Sequence, residues 1–449
     1  MSVARRLLFL GFFLPPSRAS GVYRTRALAN RFAAQGWEVT ALAAPLGFLR
    51  DTVGSVDDSL LATLDPRVRV LRPALDTYAW EKDLRAFGWL RRSRPRLSRR
   101  RYEWLGNLGF PEHYASWGRA CVRVGLRLHR RRPFDAVLAT GNPYAAFAAA
   151  WGLHRLRGLP YAVDFRDSWT LDQFGDAARY PAGHPAVRWE RRIMGRAAAA
   201  VFVNEPTRQW YADRYPAAAD RTLVVPNGWD PDLLDLGAVG DDPAPAGRPL
   251  RLGFLGTLTD RMPLAALAAA FRLARRSPEL AGATLDLYGH LGFQQTGQPV
   301  LREALGLPEG ADTSADGALR YLGPVAKTAV ADVYAASDVL VFLAGGSRYV
   351  TSGKVFEYMA AGRPVVSVHA PGIAAEDVLA GYPLWFRADS LAPEALAAAM
   401  RAAADAARTA GPGPRAAARE WAARYQRDRL LTPLVDRLAA VGDARAAAR

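Results

Sequence analysis

The stretch SDVLVFLAGGSRYVTSGKVFEYMAAGRPVVSVHAP, residues 337–371, decides the fold of this chain. Its apolar run at 339–343 predicts a buried strand, and Gly345 with Gly346 predicts a loop after it. Residues 353–361 predict a helix, and the apolar run behind the next proline predicts another strand. A strand, a loop, a helix and a strand form a βαβ unit, so this stretch predicts an α/β fold with a parallel sheet.

The start of the predicted helix carries residue types that suit a nucleotide. Thr351 or Ser352 is the predicted N-cap. Lys354 follows in the first turn, where the helix dipole disfavours a cation unless an anion such as a phosphate faces it. Glu357 lies further along the same face, within reach of a hydroxylated group beside that phosphate. Phosphate and sugar hydroxyls together indicate a nucleotide, and the alternative is a solvated lysine and glutamate pair on an ordinary helix.

This segment resembles the nucleotide-sugar site of the retaining GT-B glycosyltransferases called family 4 or group 1, in the branch with the signature GK-x-x-EY-x-A-x-G-x-P. The matching residues are Gly353, Lys354, Glu357, Tyr358, Ala360, Gly362 and Pro364. The resemblance implies that Glu357 is a catalytic residue that holds the donor ribose, and that the backbone amides of Ser352 and Gly353 hold the diphosphate. Eight positions before the glutamate, where the family pattern has a second acidic residue, this chain has Tyr349.

Three further positions are predicted from the resemblance to bind the donor. Gly21 would face the donor phosphates or the acceptor, Arg261 would reach the diphosphate, and Gly323 would line the nucleobase pocket. No DxD metal signature stands in a credible place, and the six histidines lack metal-ligand spacing. We therefore expect no cofactor and no metal, with Lys354, Arg261 and helix N-termini neutralising the diphosphate.

A second polar cluster, predicted to lie on the acceptor side, follows the strand predicted at 161–165. It contains Asp164, Arg166 and Asp167 and resembles the D-x-RD-x-W element of the same branch. Polar residues at the carboxyl end of a parallel strand lie at the edge where open α/β sheets bind ligands. Asp167 is the predicted catalytic base or orienting group, and Asn142, after the strand predicted at 136–140, is a further predicted acceptor-side residue. The alternative is a structural role, with Arg166 bridging the two carboxylates.

The domain organisation follows from length and composition. A chain of 449 residues, half of them hydrophobic, is long enough for two or three domains. Similar strand, turn and helix patterns precede and follow a segment rich in Gly, Asp, Pro and Ala, and the resemblance implies two Rossmann-like domains facing each other across a deep cleft. The predicted parts are an acceptor domain at 1–235 with a variable, basic and aromatic insertion at 46–130, a linker at 236–249, a nucleotide-sugar domain at 250–410, and a C-terminal helix at 411–449 that packs back on the first domain.

The charge of the chain points to an anionic partner. The formal net charge is +16, and residues 91–101 form a dense basic run. Five aromatic residues flank the run: Trp80, Trp89, Tyr102, Trp104 and Trp117. Basic residues interleaved with aromatic ones suit an anionic membrane surface, so we expect peripheral membrane contact there, with a solvated loop as the alternative. Nucleic acid is not expected, because no helix-turn-helix, zinc-finger or RRM pattern is present.

The location is predicted from the N-terminus and the cysteine count. Residues 1–21 resemble a signal peptide, but they continue into a helix and a second strand, which favours a first buried strand. No uncharged apolar run reaches the roughly 18 residues that a transmembrane helix needs. The single Cys121 fits a reducing compartment and is expected in the core. We therefore expect a cytoplasmic protein that acts in the cytoplasm or at the inner face of the membrane.

The sequence thus predicts a glycosyltransferase that moves a sugar from a nucleotide-diphosphate sugar to a hydroxyl acceptor with retention, in bacterial cell-surface glycan or glycolipid synthesis. The acceptor is lipid-linked in this interpretation. One alternative is a glycosyltransferase acting on natural products. Another is a catalytically silent nucleotide-sugar-binding protein, which Tyr349 suggests. An NAD-dependent Rossmann enzyme is disfavoured, because no GxGxxG follows the first strand.

Overall fold

A computed structural model of the chain describes residues 4–81, 83, 85, 87–108, 110–292 and 297–447. The chain divides into two compact units: unit 1 consists of Met1–Pro226 with Leu430–Arg449, and unit 2 of Asn227–Arg429. Residues 236–249, for which a linker is predicted, belong to unit 2. Each unit has its own parallel sheet and its own apolar cores, so the predicted α/β class is confirmed.

Unit 1 contains nine strands and seven α-helices before Pro226 among its described residues. The strands are β1 (Arg6–Leu10), β2 (Glu38–Leu42), β3 (Arg69–Leu71), β4 (Ala136–Gly141), β5 (Tyr161–Phe165), β6 (Leu171–Asp172), β7 (Ala177–Ala178), β8 (Ala199–Phe202) and β9 (Thr222–Val224). The helices are α1 (Val22–Ala34), α2 (Trp89–Ser93), α3 (Pro95–Leu108), α4 (Ala115–Arg131), α5 (Ala145–Arg157), α6 (Pro185–Met194) and α7 (Glu205–Arg214). Seven strands form one parallel sheet in the order β3-β2-β1-β4-β5-β8-β9, and β6 pairs with β7 in a short antiparallel ribbon.

Both faces of the unit 1 sheet are buried. Leu8 and Leu10 of β1 pack in one apolar core, while Leu7 and Phe9 pack in the other. Successive side chains of a strand point to opposite faces, so a strand covered on both sides needs apolar residues at every position. The N-terminal apolar run therefore forms a strand, as predicted.

Unit 2 has the same plan with fewer strands. Its strands are β10 (Arg251–Leu255), β11 (Thr284–Tyr288), β12 (Leu319–Gly323), β13 (Val339–Leu343), β14 (Val365–Val368) and β15 (Trp385–Arg387). Its helices are α8 (Leu264–Ala274), α9 (Gln298–Leu305), α10 (Val330–Ala336), α11 (Lys354–Ala360), α12 (Ala374–Leu379), α13 (Pro393–Thr409), α14 (Pro412–Ala423) and α15 (Arg427–Leu430), the last of which ends at the border with unit 1. The strands form one parallel sheet in the order β12-β11-β10-β13-β14-β15.

The βαβ unit predicted at 337–371 lies in the middle of this second sheet. β13 and β14 are parallel neighbours, with Leu340 opposite Val365, and α11 lies between them in the chain. The helix begins at Lys354 and ends before Gly362, whose φ of 65° is in the left-handed region that favours glycine. The predicted βαβ unit is therefore present, with a slightly shorter helix than the pattern indicates.

The C-terminal region, predicted as one helix over 411–449, contains three helices: α14, α15 and α16 (Thr432–Ala447). Pro433 lies at the start of α16, where proline fits a first helical turn but interrupts a helix that would continue from before. Leu434 and Leu438 of α16 pack in the apolar core that also contains β1 residues, so the last helix packs on unit 1. Within the described residues, no helix has both the length and the apolar character needed to cross a membrane.

Candidate functional site

The first polar cluster lies in unit 2 at the start of α11. β13 leads the chain into the loop at 344–353, and Gly353 is the N-cap of the helix. Thr351 or Ser352 was the predicted N-cap. The structure instead places Ser352 one residue earlier, where its Oγ accepts a hydrogen bond from the Lys354 N–H at 3.3 Å. The loop thus delivers Lys354 and the predicted ribose-binding Glu357 to one end of the sheet.

The carboxylate of Glu357 is held by three donors. Lys354 Nζ donates to Oε2 at 2.8 Å, and Lys327 Nζ donates to Oε1 at 2.8 Å. The hydroxyl of Tyr334 donates to Oε2 at 2.6 Å. The Glu357 side chain is only 15% exposed, so these contacts satisfy a largely buried anion.

The charges in this cluster control one another. Burial on its own raises the pKa of Glu357, but the ammonium groups of Lys354 and Lys327 outweigh it and hold the pKa well below its usual range. Burial lowers the pKa of Lys354, and the Glu357 carboxylate opposes this shift. Two ammonium groups thus lie at one carboxylate, and cations at the end of a parallel sheet suit an anionic ligand.

Lys327 is the residue of this cluster that sequence reasoning missed. It follows β12 and lies in the short helical turn at Lys327–Ala329 before α10, thirty positions from Glu357. One compositional signal points to it: the chain has 59 basic residues but only three lysines, Lys82, Lys327 and Lys354. Two of the three donate to the same carboxylate. In a chain that otherwise uses arginine, a retained lysine indicates a place where a compact ammonium is needed.

The position of the absent acidic residue is filled by a buried phenol. Tyr349 is 1% exposed, and its hydroxyl accepts a hydrogen bond from Arg348 Nη2 at 2.7 Å. The Arg348 guanidinium also lies 4.9 Å from the centre of the Tyr349 ring. A carboxylate that could hold sugar hydroxyls is thus replaced by an aromatic ring with an arginine on it.

Two more predicted donor-binding residues lie in unit 2. Arg261 lies against the loop that follows β13, because a Cβ at Gly345 would come 3.0 Å from the Arg261 carbonyl oxygen. Gly323 ends β12 with a φ of 73°, and its carbonyl accepts the N–H of Gly289 at 2.8 Å. Both lie at carboxyl ends of strands or in the loops that follow them, which is the ligand-binding edge of a parallel sheet.

The polar cluster of unit 1 contains a buried ion pair. Asp164 is 0% exposed, and it accepts hydrogen bonds from Arg24, with the shortest at 2.6 Å, and from Thr140 Oγ1 at 2.8 Å. Arg24 also donates to the backbone carbonyls of Val225 and Pro226, each at 3.0 Å. These contacts join β5, α1 and the end of β9, so what the structure shows for Asp164 is a structural ion pair.

Arg166 and Asp167 lie nearer the surface than Asp164. Arg166 Nη2 donates to Asp167 Oδ2 at 2.6 Å, and Nη1 donates to Ser20 Oγ at 3.4 Å. A Cβ at Gly21 would lie 2.5 Å from Arg166 Nη1, so the absent side chain makes room for the guanidinium. The structure therefore brings together Gly21, Arg166 and Asp167, and it pairs Asp164 with Arg24 instead of bridging it to Arg166.

A partly buried glutamate, Glu112, positions the loop that carries part of this cluster. Glu112 accepts the N–H groups of Tyr144 at 3.0 Å and Ala145 at 2.7 Å, at the start of α5. The Tyr144 hydroxyl donates to the carbonyls of Asp167 at 3.1 Å and Ser168 at 2.7 Å. Glu112 thus fixes the start of α5, and through Tyr144 it positions the loop that carries Asp167. The predicted acceptor-side Asn142 is exposed in the turn just before.

Within the described ranges, no group of three or more His, Cys, Asp and Glu side chains is arranged to hold a metal ion. Cys121 is a buried free thiol in the unit 1 core, and burial raises its pKa well above the usual value.

Comparison with family models decides the family. A model described as "Glycosyl transferase 4-like domain" matches residues 21–228, and one described as "Glycosyl transferases group 1" matches residues 249–405. The chain belongs to the group 1 glycosyltransferases. The two matches cover both units and include both polar clusters of the glycosyltransferase. Among curated protein sequences, none matches this glycosyltransferase at a significant level.

Solved structures show that the glycosyltransferase has the GT-B fold. A glycosyltransferase from Rickettsia africae has a TM-score of 0.64 at 12% identity, with 98% of this chain and 99% of that chain covered. Sucrose-phosphate synthase from Thermosynechococcus elongatus has a TM-score of 0.64 at 15% identity, with 99% and 100% covered. HepE from Anabaena, in complex with UDP and glucose, has a TM-score of 0.60 at 15% identity, with 96% and 99% covered.

Removing the Asp164 carboxylate is expected to destabilise the glycosyltransferase strongly. Asp164→Ala leaves Arg24 buried without its charge partner, so the free energy of unfolding should fall by about 3–5 kcal/mol. Asp167→Ala is the matched control, because Asp167 is 48% exposed and its ion pair is worth about 1 kcal/mol or less. Urea denaturation of the two variants measures the difference. Equal losses would contradict the assignment of Asp164 to a structural ion pair.

Glu112 is expected to make folding pH-dependent. Burial raises its pKa from 4.5 to about 7 in spite of the two backbone N–H donors. The folded chain then binds this proton more tightly than the unfolded chain, so the contribution of Glu112 to stability falls as pH rises from about 4.5 to 7, by at most about 3 kcal/mol. Unfolding free energies of wild type and Glu112→Gln at pH 5, 6, 7 and 8 test this, and the variant should lose the downward slope.

Proposed function

We propose that this glycosyltransferase moves a sugar from a nucleotide-diphosphate sugar to a hydroxyl acceptor with retention of anomeric configuration. The observation that carries the proposal is the Glu357 carboxylate, held by Lys327, Lys354 and Tyr334 at the start of α11. A carboxylate kept ionised beside two ammonium groups offers an acceptor for ribose hydroxyls and a cationic surface for a diphosphate. These are the two chemical groups that nucleotide-diphosphate sugars share.

Donor binding would rearrange the hydrogen bonds of this cluster. A ribose hydroxyl that donates to Glu357 takes the place of one ammonium donor, and the freed lysine can then face a phosphate oxygen. Arg261, the amides of Ser352 and Gly353, and Gly21 are proposed to hold the diphosphate, and Gly323 to line the nucleobase. The reaction is proposed to need no metal, because these donors stabilise the leaving diphosphate electrostatically.

On the acceptor side, Asp167 is the proposed base or orienting group. Its carboxylate is half-exposed and accepts from Arg166 at 2.6 Å, which leaves an oxygen lone pair for an incoming hydroxyl. Arg166 and Asn142 are proposed to help position the acceptor. Asp164 is proposed to act on the acceptor side only as a positioning residue, since its side chain is buried and paired with Arg24.

The substrates are proposed from chemistry and from similar proteins. HepE structures hold UDP with glucose, and UDP-glucose, which makes a uridine diphosphate sugar the first donor to test. The acceptor is proposed to be a lipid-linked intermediate of bacterial cell-surface glycan or glycolipid synthesis. The enzyme would then work in the cytoplasm at the inner face of the membrane, with exposed residues of the basic run at 91–101 in contact with anionic lipid.

Loss of the Glu357 carboxylate is expected to weaken nucleotide binding. Calorimetry with UDP, GDP and dTDP in EDTA should show binding of one nucleotide, and Glu357→Ala should weaken it by about 1–3 kcal/mol, as for a lost charge-assisted hydrogen bond. The matched control is Glu303→Ala, an exposed glutamate on α9. If no nucleotide binds without metal, or if both variants bind like wild type, the proposed donor site is wrong.

Nucleotide affinity is expected to depend on Lys327, and arginine at this position is not expected to replace it. Lys327→Met removes one cation, so the affinity for the nucleotide should fall and the pKa of Glu357 should rise. Lys327→Arg keeps the charge, but its planar fork competes for both carboxylate oxygens and should also weaken binding. Calorimetry between pH 5 and 8 tests both variants, with the exposed Arg272→Met on α8 as control. An unchanged affinity in Lys327→Met would contradict the role.

A second candidate function is nucleotide-sugar binding without catalysis. Buried Tyr349 in place of an acidic residue favours it, because a phenol stacked by Arg348 offers no carboxylate to the donor sugar. Tight nucleotide binding with no release of UDP from any UDP-sugar, in the presence of bacterial lipid extract, would support this candidate. Release of UDP that depends on the extract would exclude it. A natural-product acceptor is tested in the same assay by aglycones without a lipid.

A further inference from the structure

The basic run at 91–101 does not act as one uniform patch, because its first arginine faces inward. Arg91 donates to both carboxylate oxygens of Asp76, at 2.9 and 2.5 Å, and its guanidinium lies 4.8 Å from the Tyr78 ring centre and 5.7 Å from that of Phe87. The hydrogen bonds from Arg91 lower the pKa of the Asp76 carboxyl. Arg91 therefore fastens α2 to unit 1 and has no charge to offer to a partner.

α3 is also attached to unit 1, by aromatic contacts and a hydrogen bond on one of its faces. Tyr102 stacks against His113, with ring centres 6.2 Å apart, and lies 5.1 Å from the Tyr78 ring. The Tyr78 hydroxyl also donates to the carbonyl of Pro95 at 3.3 Å, at the start of α3. Ser98, one turn before Tyr102, is likewise partly covered. The face that carries residues 98 and 102 is thus turned to the protein.

The outward face of α3 combines apolar and cationic side chains. Positions 97, 100, 101 and 104 have the spacing i, i+3, i+4 and i+7, which places them on one helical face. Leu97 is 58% exposed and Trp104 is 61% exposed, and Arg100 and Arg101 between them are exposed as well. On the preceding helix, Trp89 is 73% and Leu90 is 61% exposed. Four large apolar side chains exposed on two neighbouring helices indicate an interaction surface.

We propose that the outward face of α2 and α3 docks the glycosyltransferase on an anionic lipid bilayer. Trp89, Leu90, Leu97 and Trp104 would enter the headgroup region, and Arg100 and Arg101 would lie at the lipid phosphates. The docking proposal rests on the proposed function in one respect, since a lipid-linked acceptor would require the enzyme to reach the bilayer. Binding to the bilayer itself depends only on the outward face of α2 and α3.

Charge decides which occupant fits this face. Residues 89–104 contain seven arginines and one acidic residue, Glu103, which pairs with Arg99 at 3.0 Å. A second copy of the chain would bring like charges together, so self-association through this face is unfavourable. Tryptophan and leucine beside arginine suit the boundary between acyl chains and anionic headgroups, where each side chain keeps its apolar part dry and its polar part wet.

The test is flotation of the full-length protein with vesicles of phosphatidylcholine alone and of phosphatidylcholine with phosphatidylglycerol. We expect binding to the anionic vesicles only, weakening with salt. Leu97→Ser with Trp104→Ser, and separately Arg100→Glu with Arg101→Glu, should each lower the partition coefficient about tenfold or more. The matched controls are Leu156→Ser with Val300→Ser, and Arg123→Glu with Arg127→Glu, which change exposed residues elsewhere and should bind like wild type.

Three results would overturn the docking proposal. The first is no binding of the wild type to anionic vesicles, and the second is an equal loss of vesicle binding in the variants of the outward face and in the control variants. The third is that the outward face of α2 and α3 instead mediates dimerisation or binds a single-stranded RNA oligomer. Nucleotide calorimetry on the same preparations separates this proposal from the proposed function. If the wild type binds nucleotide but not vesicles, only the docking proposal is wrong. If it binds vesicles but not nucleotide, the proposed donor site is wrong and the docking proposal stands.

Discussion

A carboxylate removed from water must find cations or hydrogen-bond donors, and this requirement organises the polar residues of both units. Burying an unpaired charge costs several kcal/mol, whereas a paired and hydrogen-bonded one is tolerated. Asp164 in unit 1 and Glu357 in unit 2 both meet the requirement with partners from distant parts of the chain. These partners tie α1 to β5 in unit 1, and the turn before α10 to α11 in unit 2.

The two units meet this requirement with different results. In unit 1, Arg24 donates from Nε and Nη2 to Asp164 and from Nη1 to two backbone carbonyls, so the ion pair is neutral and its polar atoms are satisfied. In unit 2, two ammonium groups donate to the single carboxylate of Glu357. An ion pair with all its polar atoms satisfied stabilises a fold, while two cations beside one carboxylate at the end of a sheet suit an anionic ligand. Because of this difference in pairing, we propose that Glu357 binds the nucleotide sugar and assign a structural role to Asp164.

The sequence predicts local features well because their signals are local. The β13–α11–β14 unit follows from an apolar run, two glycines and a capped helix, and the structure confirms it. The partners of Glu357 do not follow from any pattern, because Tyr334 and Lys327 lie 23 and 30 positions away and meet it only in the folded sheet. Likewise Asp164 is the penultimate residue of β5, a strand buried on both faces, where no alternation of polar and apolar residues tells which carboxylate points inward. Only the folded structure separates Asp164 from Asp167.

The choice of lysine over arginine in the Glu357 cluster has a geometric reason. A guanidinium binds a carboxylate with two parallel hydrogen bonds and occupies both oxygens, as Arg91 does on Asp76. Two such forks compete for one carboxylate, whereas two ammonium groups take one oxygen each, as Lys327 and Lys354 do. Each oxygen then keeps a lone-pair direction for a further donor, and Tyr334 uses one of them. In a chain that uses arginine for nearly all its positive charge, two of the three lysines thus lie where one carboxylate accepts from several donors, and such a carboxylate can exchange one donor for a ligand hydroxyl.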